Sequence, residues 1–89
     1  MTMKIKDIQC SLEFFEDYDS APSDVQKRVD KKLRIISINH HLLKSFQAHR
    51  VRDEEIWIAY ITKNRQGYRL LFEVDSTGTM HCLRLVSQL

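Results

Sequence analysis

The chain has 89 residues, 43% of them hydrophobic and 29% charged, with two Gly, one Pro and a formal net charge of +2. This is the composition of one small globular domain, residues 1–89; it excludes disordered, collagen-like and low-complexity chains, and no apolar run reaches the roughly 18 residues of a membrane helix. The opening MTMKIKDIQC has no apolar stretch of the export-signal kind, and Cys10 and Cys82 are too few for a disulfide scaffold, so reduced thiols in a cytoplasmic protein are expected.

Residues 4–9 (KIKDIQ) carry Ile5 and Ile8 in a short polar segment, which predicts a weak edge strand. Over 11–20, Leu12, Phe15 and Tyr18 recur at helical spacing beside Phe14, with Glu13, Glu16 and Asp17 on the other side; this predicts a short amphipathic helix. Ala21-Pro22-Ser23-Asp24 is a boundary. Pro22 suits the first turn of a new helix, and Ser23 with Gln26 has the spacing of a capping box. Val25, Val29, Leu33 and Ile36 then mark the clearest helix, about 22–38, with Asn39 as its stop and His40 and His41 closing it. Residues 39–53 are polar and irregular, anchored by Leu42, Leu43 and Phe46.

The period then changes. Residues 55–62 (EIWIAYIT) are rich in β-branched and aromatic side chains, and 63–67 is a turn. In 68–74, Tyr68, Leu70, Phe72 and Val74 alternate with Arg69, Leu71 and Glu73. Asp75-Ser76-Thr77-Gly78 is a hairpin connection, and 79–86 a last strand. The order β-α-α-β-β-β predicts an α+β fold, with a helical hairpin on one face of a mainly antiparallel sheet.

Charge is unevenly spread. Residues 1–24 have a net charge of −4, residues 25–52 of +7 and residues 53–89 of −1. Such a central block favours an anionic partner; its plainer reading is a solvated helix face.

Four stretches together carry a family likeness: Pro22–Val29 opening the second helix, Asn39-His40 with the loop to His49-Arg50-Val51, Trp57–Ile61 as the second strand, and Gly67–Asp75 (GYRLLFEVD) as the third. The chain resembles the RelE/ParE superfamily of toxins from type II toxin–antitoxin systems over nearly its whole length. The resemblance implies a four-stranded sheet with the first strand beside the fourth. It implies a toxin held inactive by a cognate antitoxin. RelE-like members are mRNA interferases: they enter the ribosomal A site, cut mRNA and inhibit translation. ParE-like members share the fold and poison DNA gyrase, so fold alone does not choose the activity.

Metal-free RNA cleavage needs a base for the 2′-hydroxyl, cations around the phosphate and an acid for the leaving oxygen; no cofactor is implied. Arg69 matches the family's strand arginine, whose fork suits phosphate, against a plainer pairing with Glu73 or Asp75. His49 titrates in the useful range, and its plainer role is to anchor a loop. His81, Arg84 and Tyr68 complete the candidate catalytic set, His81 having the plainer reading of a half-buried strand histidine. Lys27, Arg28, Lys31, Lys44, Arg50 and Arg52 are candidate RNA-binding residues. No C-x-x-C or H-x-x-x-H spacing occurs, so no metal is expected, and Cys82 beside Met80 and Leu83 reads as core.

The chain also departs from the family. Members with basic second strands have lysines where Ile58 and Tyr60 stand, and the tail residues that complete the family's site have no counterpart after Leu89. Either the site is rebuilt from His49, His81, Arg84 and Tyr68, or cleavage is weak or absent. A gyrase-directed toxin and a non-toxic, antitoxin-binding relative are the alternatives. An antitoxin is expected to dock as a helix or strand, with Trp57, Phe46 or Leu89 as candidate contacts; core packing is the plainer role of Trp57.

Overall fold

The computed structural model describes residues 3–39, 41–42, 49–50, 56–62 and 67–87. Strands β1 (Met3–Lys4) and β2 (Asp7–Cys10) lead into helices α1 (Leu12–Ser20) and α2 (Ser23–Asn39). Five strands follow: β3 (His41–Leu42), β4 (His49–Arg50), β5 (Trp57–Tyr60), β6 (Arg69–Val74) and β7 (Thr79–Val86). The fold is α+β, as the sequence predicts.

The main sheet has five strands in the order β2-β7-β6-β5-β4, and β1 pairs with β3 in a separate two-stranded ribbon. β2 runs parallel to β7, and the remaining neighbours in the main sheet are antiparallel. The expected four strands gain a fifth because the two-residue β4 pairs with β5, and the predicted first strand is split. Ile5, between β1 and β2, turns into the core and is 1% exposed, while the Lys6 N–H donates to the Gly78 carbonyl at 2.8 Å. His41, expected to close α2, instead pairs with Lys4, and Asn39 ends the helix by donating its side-chain amide to the Ile35 carbonyl. His40, Leu43 and Phe46 lie outside the described residues.

The core forms where α2 lays Val25, Val29 and Ile36 over Ala59, Leu70, Phe72, Met80, Cys82 and Leu85 of the sheet. With half-buried Leu33 packed between Val29 and Ile36, these α2 positions follow the predicted steps of four, four and three. Burying such side chains supplies about 1.5–3 kcal/mol each.

α1 is turned differently from its apolar period. Phe14 is buried, but Leu12 is 70% and Phe15 51% exposed. Two polar anchors set the rotation. Ser11 caps the helix by accepting from the Phe14 N–H, and its hydroxyl donates to the Leu83 carbonyl at 2.8 Å. Six residues on, Asp17 accepts from the Leu85 N–H at 2.9 Å. The stripe 11, 14, 17, 18 therefore faces the sheet, and Asp17, expected on the solvent side, is drawn inward.

The helical hairpin is closed by side chains. Tyr18 donates its hydroxyl to Asp30, and the Gln26 amide donates to the Tyr18 carbonyl, both at 2.7 Å. Gln26 thus caps the end of α1 instead of closing a capping box with Ser23. Among the described residues no helix is long and apolar enough to cross a membrane.

Candidate functional site

The two faces of the main sheet differ. Trp57, Ala59, Leu70 and Phe72 lie toward the helices, whereas Ile58, Tyr60, Arg69 and Leu71 occupy the opposite face in paired registers. Strand alternation produces this division, and it places the motif arginine on the side the helices leave uncovered.

Tyr60 pairs directly with Arg69 across β5 and β6, and the guanidinium carbon lies 5.3 Å from the ring centroid. A ring beneath the cation holds its plane while leaving its N–H edge free to donate. Among the described residues no carboxylate lies within ion-pair distance of Arg69, so the plainer pairing with Glu73 or Asp75 is not made. A half-exposed guanidinium of this kind can receive a phosphate by two parallel hydrogen bonds.

The other candidates go elsewhere. His81 lies four register positions from Arg69 along β6, roughly 13 Å at strand rise, so the two do not share one phosphate. Its Nε2 meets Asp75 Oδ2 at 2.8 Å; since a carboxylate only accepts, Nε2 carries the proton. The imidazole first, then the Thr77 hydroxyl and the N–H groups of Thr79 and Thr77, hold the Asp75 carboxyl far below the usual carboxylate range. The Arg84 guanidinium is taken by Asp17, at 2.7 Å from Nε and 3.1 Å from Nη2. Tyr68 packs against the core, and its N–H donates to Thr62 Oγ1 at 2.8 Å.

His49 pairs in register with Ile58 and Arg50 with Trp57, which brings β4 to the edge next to the Arg69 face. Lys27, Arg28 and Lys31 are exposed on α2, and Lys44 and Arg52 lie outside the described residues. Trp57 stacks on Phe72 with ring centroids 6.3 Å apart, in keeping with its plainer role; Leu89 lies outside the described residues. Cys82 is wholly buried, and among the described residues no cluster of three His, Cys, Asp or Glu could hold a metal ion.

Tyr60 is the site residue that sequence reasoning misses. It enters there as a departure from a lysine pattern; counting outward from the 63–67 turn sets Ile61 opposite Arg69, and the observed register, one residue away, brings Tyr60 there instead. No protein-family model, curated protein or solved structure matches the chain.

Proposed function

We propose that the chain is the toxin of a type II toxin–antitoxin pair, acting in the cytoplasm on mRNA at the ribosome through the sheet face that carries Arg69. The observation that carries this reading is a strand guanidinium without a carboxylate partner, seated on the Tyr60 ring. The family resemblance and the +7 central segment support it. Arg69 holds the scissile phosphate and a cognate antitoxin neutralises the protein; the exposed α2 cations Lys27, Arg28 and Lys31 lie on the other side of the sheet, so they meet RNA only away from that phosphate. The exposed Leu12 and Phe15 of α1 offer that antitoxin an apolar contact.

A second reading has its own support. His81 is bound to Asp75 and Arg84 to Asp17, so two of the candidate proton donors and cations are already engaged. That arrangement favours a relative that binds a protein target such as DNA gyrase, or binds antitoxin alone, without cutting RNA.

Inducible expression in bacteria without antitoxin separates these readings. Growth arrest with discrete cuts inside translated codons, both lost in Arg69→Ala, is the expected result. Arrest without cuts points to gyrase or another protein target. Normal growth at verified soluble expression overturns the toxin reading.

A further inference from the structure

A second place on the molecule has ligand-binding character. An open cleft of about 560 Å³ lies at the end of the sheet where β5 begins and β6 turns into β7. Its walls are Lys4 and Lys6 from the N-terminal segment, Trp57 and Val74 from the sheet, and the hairpin turn at Ser76 and Thr77. Trp57 and Tyr60 are three positions apart on β5 and on opposite faces, so this cleft is separate from the Arg69 face.

The lysines are placed by the core. Ile5 between them is buried, so Lys4 and Lys6 are both turned outward and exposed. The Lys6 N–H bond to the Gly78 carbonyl fixes this wall against the hairpin. Gly78 has φ of +88°, and a β-carbon there would sit 3.3 Å from Lys6 Cγ, so glycine lets the two walls meet closely.

The charge of the cleft is positive. Among the described residues neither lysine has a carboxylate within ion-pair distance. The acid in the lining, Asp75, has both oxygens engaged: one accepts from the N–H groups of Thr77 and Thr79, the other from His81. The apolar part of the lining is the indole of Trp57 with Val74, and Ser76 and Thr77 place hydroxyls at the rim.

We propose that this cleft binds a nucleotide unit, its base against Trp57 and its phosphate between Lys4 and Lys6. An aromatic plane beside paired ammonium groups matches a phosphorylated base, because stacking and charge act on different parts of that ligand. The volume falls in the range of small-molecule pockets. A free nucleoside monophosphate and one residue of a single strand share this chemistry. The proposal does not depend on toxicity, so its failure and that of the toxin reading are separate events.

Trp57 is the one tryptophan in the chain, so its fluorescence reports the cleft directly. The experiment titrates the full chain with uridine monophosphate, a uridine hexanucleotide and ribose 5-phosphate. Saturable quenching is expected from the two base-bearing probes and not from the sugar phosphate. Equal affinity for monophosphate and hexamer identifies a free nucleotide; tighter hexamer binding with a steep salt dependence identifies a strand. The double variant Lys4→Gln/Lys6→Gln should weaken binding about tenfold or more, while Arg34→Gln, on exposed α2 surface, leaves it unchanged. Circular dichroism checks that the double variant folds. Absence of saturable quenching at millimolar nucleotide, or an unchanged dissociation constant in the folded double variant, overturns the proposal.

Discussion

Asp17 accepts from Arg84 and, at 2.9 Å, from the backbone N–H of the next residue, Leu85. β2 ends at Cys10, opposite Cys82, and among the described residues no strand lies beside the edge of β7 beyond that point. Ser11 and Asp17 take the place of a strand there, Ser11 donating its hydroxyl to the Leu83 carbonyl and Asp17 accepting from the Leu85 N–H. The register shift between Leu71 and Phe72 falls at the same stretch and leaves Leu83 of β7 as the extra residue, between Cys82 and Arg84.

This arrangement predicts an asymmetry between two substitutions. Asp17→Ala leaves the half-buried Leu85 N–H without its partner and should cost about 1–3 kcal/mol. Arg84→Ala removes an exposed ion pair and keeps that backbone bond, so it should cost about 0–1 kcal/mol. Urea midpoints of the two variants against the parent measure the difference. Equal losses would mean that the ion pair, and not the edge bond, fixes α1.

The same carboxylate sets an acid limit. Arg84, and then the Leu85 N–H, lower the Asp17 pKa from its ordinary value. A folded value below the unfolded one contributes stability that is complete above the unfolded value and is lost as pH falls through the folded one. Asp75, lowered by His81 and its turn bonds, acts with the same sign. The melting temperature should therefore drop as pH falls below about 4. Asp17→Asn should flatten that slope without abolishing it, as thermal scans across this range would register.

Much of this fold is legible in the residues, and what is not has a physical cause. The α2 period survives because apolar contact alone orients that helix: Val25, Val29 and Ile36 are buried as spaced. The α1 period fails because Ser11 and Asp17, bonded to β7, outweigh the burial of Leu12 and Phe15. Such bonds to residues about seventy positions away leave no local pattern. The site divides in the same way. Arg69 and its face follow from strand alternation, whereas the capture of His81 by Asp75 and of Arg84 by Asp17 depends on tertiary approach.

If Arg69 binds phosphate, Tyr60 should matter through its ring. Tyr60→Phe keeps the face beneath the guanidinium and should leave RNA affinity close to the parent's. Tyr60→Ala removes it and should weaken binding about two- to fivefold, the equivalent of about 0.5–1 kcal/mol for an exposed cation–ring contact. Fluorescence anisotropy with a labelled RNA gives the ranking, with Arg69→Ala expected to be the weakest. A loss in Tyr60→Phe equal to that in Tyr60→Ala would transfer the role to the hydroxyl.

The two thiols offer a probe of the β2–β7 edge. Cys10 and Cys82 are register partners in the parallel pair, and both are free. Burial raises the pKa of each, and the Cys82 thiol is shifted much the further, so little reactive thiolate forms near neutral pH. Native protein treated with iodoacetamide should therefore be labelled slowly at half-buried Cys10 and more slowly still at Cys82. In concentrated urea the two should react alike. Peptide mass spectrometry over a time course resolves the sites. Because Cys82 must leave the core to react, its labelling should keep pace with global unfolding, whereas fraying of the short edge strand β2 suffices for Cys10. Native labelling of Cys82 as fast as that of Cys10 would mean that β7 opens together with its edge, and that the Ser11 and Asp17 bonds do not hold α1 against it.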